Sequence, residues 1–498
     1  MKLRNYFAIA GCMLLATVNA QSYQDLYRPQ IHFSPKKSWM NDPNGMVYYK
    51  DIYHLFFQYY PESTVWGPMH WGHATSKDMV HWQEQPIALY PDSLGYIFSG
   101  SAVADVNNTS GFGKNGKAPL VAIYTNHDPV GEKAQRNNFQ TQSIAYSIDE
   151  GKSWTKYEHN PVLANPGITD FRDPKVRWYE AGKKWIMTLA TKDRITFFSS
   201  PNLKEWTKES SFGQDRGAHG GVWECPDLFP LSYEGRTIWV LLVSINPGAP
   251  NGGSGTQYFT GTFDGHSFMP DDNQLKWIDY GRDDYAGVTW SNTGNRIVFL
   301  GWMSNWMYGQ AVPTQAWRSA NTIPRQLSLK KVNGSYYLAS DPVKELNTLV
   351  ANSKTVNAVD GKNYNYPGKL NGPFRLSFNV DNLVDHNIIL SNSNGEKLII
   401  GYEKSSNQFF IDRSKSGETN FEQSFGNKQI APRIATSAKS SITLYIDVSS
   451  VELFADNGLT VMTSIMFPSK PYDSFLIESG AKMTIQNLSV DELKSIWK

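Results

Sequence analysis

Short runs of apolar and aromatic residues recur along the chain, separated by clusters of Asn, Asp, Gly and Pro. Typical runs are Tyr53 to Phe57, Leu120 to Tyr124 and Trp239 to Val243. Stretches rich in β-branched and aromatic residues, bounded by turn residues, are typical of strands rather than helices. The pattern therefore predicts an all-β protein.

A weak sequence repeat groups these runs into larger units. Each unit has a Ser/Thr-x-Asp/Asn pair followed by an aromatic residue, and the pairs begin at Ser76, Ser147, Ser200 and Thr262. The starts are 71, 53 and 62 residues apart (147−76, 200−147 and 262−200). Repeats of this length in an all-β chain predict propeller blades of about four strands each. Chance similarity between hairpins is the alternative explanation, because the signature is short.

The character of the sequence changes after about residue 335. Beyond this point the repeat stops, Trp becomes rare, and short strands such as Phe374 to Phe378 stand among Ser, Asn and Lys. We therefore expect a propeller over residues 27–335, a linker with a short helical turn over 336–349, and a β-sandwich over 350–498.

Residues 1–20 have the features of a signal peptide. Lys2 and Arg4 precede a mostly apolar run, which ends in the small residues around Ala20. The run is shorter than the roughly 20 residues that a membrane span requires. A lipid anchor at Cys12 is disfavoured, because the apolar run before it is very short. We expect a secreted or periplasmic protein without a membrane span.

Charge and cysteine content exclude several classes of partner. Loss of Lys2 and Arg4 with the signal would change 47 basic and 46 acidic residues to 45 and 46, a net charge of −1. No nucleic-acid partner is expected at that charge. Cys225 would remain as a single cysteine, so the stability of the fold should come from its apolar core. No zinc-binding spacing of Cys or His is present, and we expect neither a metal nor another cofactor.

Three acidic residues stand close to prolines. They are Asp42 in Trp39-Met-Asn-Asp-Pro-Asn-Gly45, Asp173 in Phe171-Arg-Asp-Pro174 and Glu224 in Trp223-Glu-Cys-Pro-Asp-Leu-Phe229. A following proline favours extended backbone, which fixes the direction of a side chain at a strand end. Each acid alone is explained better as a turn-capping carboxylate.

Taken together, the three acids indicate glycosidic cleavage. They fall in separate repeat units, and the inner strands of propeller blades converge on one central channel. Glycoside hydrolysis needs one carboxylic acid to protonate the leaving oxygen, and one carboxylate to attack or support an oxocarbenium-like centre. We therefore expect the acids to meet in the channel.

The motifs resemble those of glycoside hydrolase family 32, which contains invertases, inulinases and levanases. The resemblance extends from Tyr27 to about Glu345, and it includes Phe57-Gln58-Tyr59, the stretch from Trp66 to His73, and Phe98-Ser-Gly-Ser101 besides the acid motifs. The chain is most similar to bacterial levanases that remove fructose from chain ends. The resemblance implies a five-bladed propeller with a C-terminal β-sandwich that hydrolyses terminal β-fructofuranosyl units of levan, inulin and sucrose with retention.

The resemblance also implies roles for individual residues. Asp42 would be the nucleophile, Glu224 the acid/base, and Asp173 the residue that stabilises the transition state. The implied substrate-binding residues are Trp39, Met40, Asn41, Gln58, Trp66, Phe98, Ser99, Arg172 and Trp317. Asp283-Asp284-Tyr285-Ala286 departs from the family pattern, because Asp284 replaces an aromatic residue that we expect at the pocket rim. This departure leaves the linkage preference open.

Three alternatives remain open from the sequence. An endo-acting levanase or inulinase would share the motifs but needs an open groove. A lectin-like propeller would bind fructan without needing all three acids. An inverting propeller glycosidase acting on arabinan or xylan would keep three acids, but it would not require the motif from Trp39 to Gly45.

Overall fold

The computed structural model describes residues 23–497, and the predicted signal peptide lies outside this range. Within it, five sheets of four or five strands are followed by one sheet of ten strands. The predicted all-β fold, a five-bladed propeller followed by a β-sandwich, is confirmed. No helix within residues 23–497 is both long and apolar enough to cross a bilayer.

The first three blades are four-stranded meanders in which each strand pairs with the next. Blade I contains β1 (Ser38–Tyr49), β2 (Ile52–Tyr60), β3 (His70–Ser76) and β4 (Gln83–Leu89). Blade II contains β5 (Tyr96–Ala104), β6 (Leu120–His127), β7 (Gln140–Ser147) and β8 (Thr155–Lys156), with helix α1 (Pro129–Lys133) after β6. Blade III contains β9 (Phe171–Tyr179), β10 (Lys184–Thr191), β11 (Ile195–Ser200) and β12 (Thr207–Phe212), with a 3₁₀ turn at Glu180–Gly182.

The last two blades have extra short strands. Blade IV contains β13 (Val222–Tyr233), β14 (Arg236–Asn246), β15 (Gly255–Phe263), β16 (Phe268–Pro270) and β17 (Lys276–Trp277). Blade V begins with β18 (Tyr285–Thr289) and β19 (Val298–Met303). The next strand, β20 (Trp317–Arg318), pairs in parallel with β1 and so joins blade V to blade I. Blade V continues with β21 (Ala320–Asn321), β22 (Arg325–Val332) and β23 (Ser335–Pro342).

The repeat seen in the sequence marks the same turn in successive blades. In blades I to III it follows the third strand, where the Ser76 hydroxyl donates to Asp78 at 2.9 Å and Ser147 donates to Asp149 at 2.8 Å. In blade IV, Asp264 accepts the backbone N–H of Ser267 at 2.7 Å. Such side-chain-to-backbone turns explain why Ser, Thr, Asp and Asn recur there.

Strand β23 covers residues 335–342, a large part of the range 336–349 that we expect to form the linker. This strand pairs with β22 from Val332↔Ser335 to Arg325↔Pro342. Asn333 and Gly334 between them both have positive φ, of 49° and 90°, as in a tight hairpin turn. An Asn-Gly pair is a common sequence signal of such a turn. Only the 3₁₀ helix Lys344–Leu349 then connects the two domains.

The C-terminal sheet is sandwich-like and organised around one long strand. Its strands are β24 (Val350–Asn365), β25 (Phe374–Val380), β26 (His386–Ser391), β27 (Lys397–Glu403), β28 (Gln408–Lys415), β29 (Gln429–Pro432), β30 (Ser440–Ile446), β31 (Ser450–Ala455), β32 (Thr460–Ile465) and β33 (Ser474–Leu493). The first part of β33 pairs with β26 and its second part with β25, so this strand joins the two halves of the sheet.

Candidate active site

Each of the five innermost strands carries one extra residue near its start. The first strands of neighbouring blades contact one another in a ring. In every one of them, two residues lie opposite a single residue of the second strand, at Asn41-Asp42, Phe98-Ser99, Asp173-Pro174, Cys225-Pro226 and Ala286-Gly287. These are β-bulges, which bend a strand and redirect its side chains. They gather polar side chains at one end of the propeller channel.

Three of the bulge residues have a backbone conformation that is unfavourable for residues other than glycine. The φ angles are 65° at Asp173, 45° at Cys225 and 53° at Ala286. Strain of this kind persists only where the surrounding structure enforces it, and it concentrates at functional sites.

Asp42 is held in one orientation by hydrogen bonds from Ser99 and Asn41. Its Oδ2 accepts the Ser99 hydroxyl at 2.7 Å, and its Oδ1 accepts the Asn41 amide at 2.9 Å. The indole N–H of Trp39 in turn donates to Asn41 Oδ1 at 2.7 Å. Burial raises the pKa of Asp42, the charge of Glu224 raises it further, and the hydrogen bonds oppose both. The carboxylate is therefore oriented but costly to ionise.

Asp173 lies beside Asp42 with fewer compensating contacts. Its Oδ2 accepts the backbone N–H of Cys225 at 3.0 Å. Burial raises the pKa of Asp173 to about 7; Arg172 acts against this, and the charges of Glu224 and Asp42 add to it. The site thus contains a carboxyl group that takes up a proton near neutrality.

Cys225 separates the two aspartates. Its Sγ lies 3.5 Å from Asp42 Oδ2 and 3.6 Å from Asp173 Oδ2. Burial raises the pKa of this thiol well above its usual value, and the neighbouring carboxylates raise it further. A thiol that stays protonated is a weak donor and a poor nucleophile.

Glu224 is held from two sides. Its Oε1 accepts the Arg172 guanidinium, with Nε at 3.2 Å and Nη2 at 3.0 Å. Its Oε2 accepts the hydroxyl of Tyr285. Arg172 is fixed in turn by Asp170. Tyr285 was not among the predicted site residues, although it stands in the departing stretch that the sequence singled out.

The polar residues predicted to bind substrate reach the acids, and two aromatic ones form a wall. Asn41, Ser99 and Arg172 contact the acids directly. Gln58 faces the Asn41-Asp42 bulge, and its buried Nε2 has no hydrogen-bond partner within residues 23–497. Trp66 is 37% exposed and packs edge-on against Phe98 with ring centroids 6.0 Å apart.

Three other predicted binding residues are almost wholly buried. Trp39 and Met40 are 0% exposed and Trp317 is 3% exposed. Trp39 touches the site only through Asn41, Met40 packs in an apolar cluster, and the Trp317 ring lies 4.3 Å from the Arg28 guanidinium carbon. The role of these three residues in substrate binding stays a prediction.

The expectation that Asp284 lies at the pocket rim is wrong. This residue is 1% exposed, and its Oδ2 accepts Arg325 Nη1 at 2.8 Å. Adjacent residues of a strand point to opposite sides. Tyr285 therefore turns into the pocket while Asp284 turns away from it.

The described residues hold no obvious metal site. Within residues 23–497 no group of three or more His, Cys, Asp or Glu side chains is suited to binding a metal ion.

A propeller channel that ends in three buried or half-buried acids defines a propeller glycoside hydrolase. The chain belongs to glycoside hydrolase family 32. Residues 32–342 match the family 32 N-terminal domain of glycosyl hydrolases, and residues 343–492 match its C-terminal domain. The resemblance inferred from the motifs is confirmed.

Two groups of relatives illustrate the similarity. The chain is 46% identical to a levanase of Bacillus subtilis, over 95% of this chain and 72% of that protein. It is 40% identical to an extracellular exo-inulinase of Aspergillus niger, over 98% of this chain and 99% of the other.

Two solved structures share the fold. An exo-inulinase from Aspergillus awamori superposes with a TM-score of 0.88 at 38% identity, covering 96% of this chain and 100% of that one. A β-fructofuranosidase from Schwanniomyces occidentalis, complexed with fructosyl-erythritol, gives a TM-score of 0.86 at 35% identity, covering 94% and 98%.

Proposed function

We propose that the protein hydrolyses terminal β-D-fructofuranosyl units of fructans, namely levan or inulin, and of sucrose, with retention of configuration. The main support is the meeting of Asp42, Asp173 and Glu224 at the bulged ends of three inner strands. The levanase, exo-inulinase and β-fructofuranosidase relatives support the fructosyl substrate. Endo-cleavage of the same substrates is the alternative.

In the first step, the ionised Asp42 attacks the anomeric carbon of the fructosyl unit. Glu224 gives its proton to the glycosidic oxygen as that bond breaks, and the leaving sugar departs. In the second step, Glu224 takes a proton from water, which attacks the same carbon and releases fructose from Asp42. The Tyr285 and Arg172 contacts fix the Glu224 carboxyl group for both transfers.

Binding of the terminal ring is assigned to the polar groups beside the acids. Asp173 accepts hydroxyl groups, and Arg172 and Asn41 donate to them. The unpaired Nε2 of Gln58 is a further donor, since a buried donor without a partner is costly until a ligand satisfies it.

Secretion is part of the same proposal. Two features support export of the chain: the signal-like residues 1–20 and the extracellular exo-inulinase among its relatives. Expression in a bacterial host, followed by N-terminal sequencing of the exported protein, tests it. A start at Gln21 is expected, whereas a start at a lipid-modified Cys12 would indicate an anchored protein.

Incubation with sucrose, inulin, levan and arabinan tests the activity. Fructose release from the first three is expected, and arabinan should remain intact. Asp42→Asn should fold normally and reduce turnover by at least roughly 10⁴-fold, as expected for loss of a covalent nucleophile. Asp51→Asn, on the exposed β1–β2 turn, is the control and should retain full turnover. Near-normal turnover of the Asp42 variant would refute the assignment.

A further inference from the structure

The segment that leads into the inner strand of blade V lies along a strand of the C-terminal domain. The backbone N–H of Tyr280 donates to Val461 O at 2.8 Å, and that of Asp283 donates to Thr463 O at 3.2 Å. In return, the Thr463 N–H donates to Asp279 Oδ1 at 2.9 Å. Residues 279–284 are thus held on β32 by hydrogen bonds donated in both directions.

Buried ion pairs fix the two consecutive acids of this segment. Asp283 Oδ2 accepts Arg413 Nη1 at 2.7 Å and the backbone N–H of Ile465 at 2.9 Å. Its Oδ1 accepts the hydroxyl of Tyr308 at 2.7 Å. Arg413 belongs to β28 of the sandwich, and both members of the ion pair are 0% exposed.

Asp284 is bound through a second arginine. Arg325 Nη1 donates to Asp284 Oδ2 at 2.8 Å, and Arg325 Nε donates to Glu452 Oε2, on β31 of the sandwich, at 3.2 Å. The Asp284 carboxyl group also packs against the backbone of blade V, because a Cβ at Gly301 would lie 1.9 Å from its Oδ1. This carboxyl group therefore lies close against the Gly301 backbone on one side.

The next residue in the chain is Tyr285, whose hydroxyl donates to Glu224. We propose, on the basis of the proposed function, that the C-terminal sandwich positions the acid/base step by holding residues 279–284 so that Tyr285 stays on Glu224. Asp283, Arg413, Asp284 and Arg325 are then positioning residues. The geometry favours this because a chain whose side chains are fixed at Asp283 and Asp284 leaves the following residue, Tyr285, little freedom.

The role predicts a defect that depends on the leaving group. Proton donation matters for sucrose, whose leaving alkoxide is a poor leaving group, and matters little for 4-nitrophenyl β-D-fructofuranoside. A misplacement of about 1 Å at a catalytic group reduces turnover up to roughly a hundredfold. General protein damage would reduce turnover of both substrates equally.

The test uses the full chain with the double variant Asp283→Asn/Arg413→Gln, which removes the ion pair without leaving a lone charge. We expect kcat/KM, which reports fructosyl transfer to Asp42 and not the later attack of water, to fall roughly ten- to a hundredfold on sucrose and to stay within about threefold of the unchanged enzyme on the aryl fructoside. Tyr285→Phe should give the same selective loss. The matched control is Asp456→Asn/Arg433→Gln, a buried pair inside the sandwich with Nε 2.7 Å from Oδ2, and it should affect neither substrate selectively.

Equal losses of kcat/KM on both substrates, or a control that reproduces the selectivity, would overturn the positioning role. If the double variant does not fold, Tyr308→Phe removes only the hydroxyl that contacts Asp283 and Arg413, and it should show the same selectivity at smaller size. A folded Tyr308→Phe variant that loses no more activity on sucrose than on the aryl fructoside would also overturn the positioning role. An unchanged enzyme that releases fructose from neither substrate would instead refute the proposed function.

Discussion

His32 and Glu452 form a fully buried pair between the two domains, with His32 Nε2 2.8 Å from Glu452 Oε1. The other ring nitrogen, Nδ1, lies 2.7 Å from Asp447 Oδ2. His32 precedes the first strand of the propeller, and both carboxylates belong to the C-terminal sheet region. Burial alone would lower the pKa of His32, but the two carboxylates outweigh it and raise the pKa to about 9.

This pair predicts a pH-dependent contribution to stability. A histidine pKa raised from 6.5 to about 9 stabilises the fold fully below pH 6.5, and the contribution is lost as the pH rises through 9. The melting temperature should therefore fall by several degrees over this range. His32→Gln should melt lower at pH 6.5 and show a flatter profile.

His386→Gln is the control for the stability prediction. His386 is buried inside the sandwich, and burial lowers its pKa, so its charge should not change between pH 6.5 and 9. Thermal unfolding followed by circular dichroism measures all three proteins. Parallel profiles for His32→Gln and the unchanged protein would contradict the prediction.

Asp173 predicts a pH-dependent cost to stability, which its substitution should relieve. Its pKa is raised from 3.8 to about 7, so ionisation costs folding energy that is absent below pH 3.8 and grows as the pH rises to 7. Asp173→Asn should therefore match the unchanged protein at pH 4 and melt several degrees higher at pH 8. The same variant should lose turnover, as is common where function imposes a stability cost.

Asp78→Asn is a control of opposite sign for this measurement. Burial opposes ionisation of Asp78, but hydrogen bonds from His81, Val80 and Ser76 outweigh it and lower its pKa. Its substitution should destabilise the protein at pH 8 more than at pH 4. A destabilising effect of Asp173→Asn at pH 8 would show that Asp173 is compensated better than its contacts indicate.

The blades and the three acids could be predicted from the sequence because their signals are local. The turn at Ser76 and Asp78 repeats its hydrogen bonds within three residues, and Asp42 and Asp173 stand directly before prolines. Tyr285 had no such signal. Its role depends on the bulge at residues 286–287 and on ion pairs to residues more than a hundred positions away, such as Asp283 to Arg413.

The prediction for Asp284 was wrong for the same reason: the position of this residue depends on contacts that are distant in the sequence. Substitution of an acid for an aromatic residue is visible in the sequence, but the side to which it points depends on the strand register. That register is fixed by the bulge and by Arg325, which approaches from blade V. Long-range pairing of this kind leaves no pattern in the local sequence.

Glu224→Gln predicts a shift in the pH profile. The charge of Glu224 raises the pKa of the buried Asp42, so neutralising it should lower that pKa. The rate of fructosyl transfer should fall at low pH as Asp42 takes up a proton, because only ionised Asp42 attacks. This acid limb of the pH profile therefore reports the pKa of Asp42. With the aryl fructoside, the limb should move to lower pH, while turnover of sucrose should fall roughly 10²- to 10⁴-fold.

The burst of nitrophenol in a rapid-mixing experiment measures this limb separately from hydrolysis of the intermediate. Gln85→Glu, in the outer strand of blade I, is a control that changes a charge of the same size outside the pocket. Gln85→Glu should leave the acid limb at the same pH as in the unchanged enzyme. An acid limb that stays fixed in Glu224→Gln would show that the two carboxyl groups do not interact.

The pocket wall predicts the order in which products appear. The backbone N–H of Trp66 donates to Gln310 Oε1 at 3.2 Å, which joins a loop of blade I to a loop of blade V. On the other side, Trp66 packs against Phe98, and Phe98 stacks on His127 of blade II with ring centroids 4.3 Å apart. The wall is therefore continuous over three blades.

A fructan chain held through its interior would have to leave the site on both sides, and this wall closes one of them. A closed pocket accepts a chain end more readily than a chain interior. Fructose should accordingly appear as the main product from the first minutes of a levan or inulin digest, without an early ladder of oligosaccharides. Chromatography of early time points measures this, and Trp66→Ala should weaken binding of the fructan while leaving fructose as the product, because the acids that bind the terminal ring are unchanged. A ladder formed with little free fructose would contradict the closed pocket and favour endo-cleavage by the same acids.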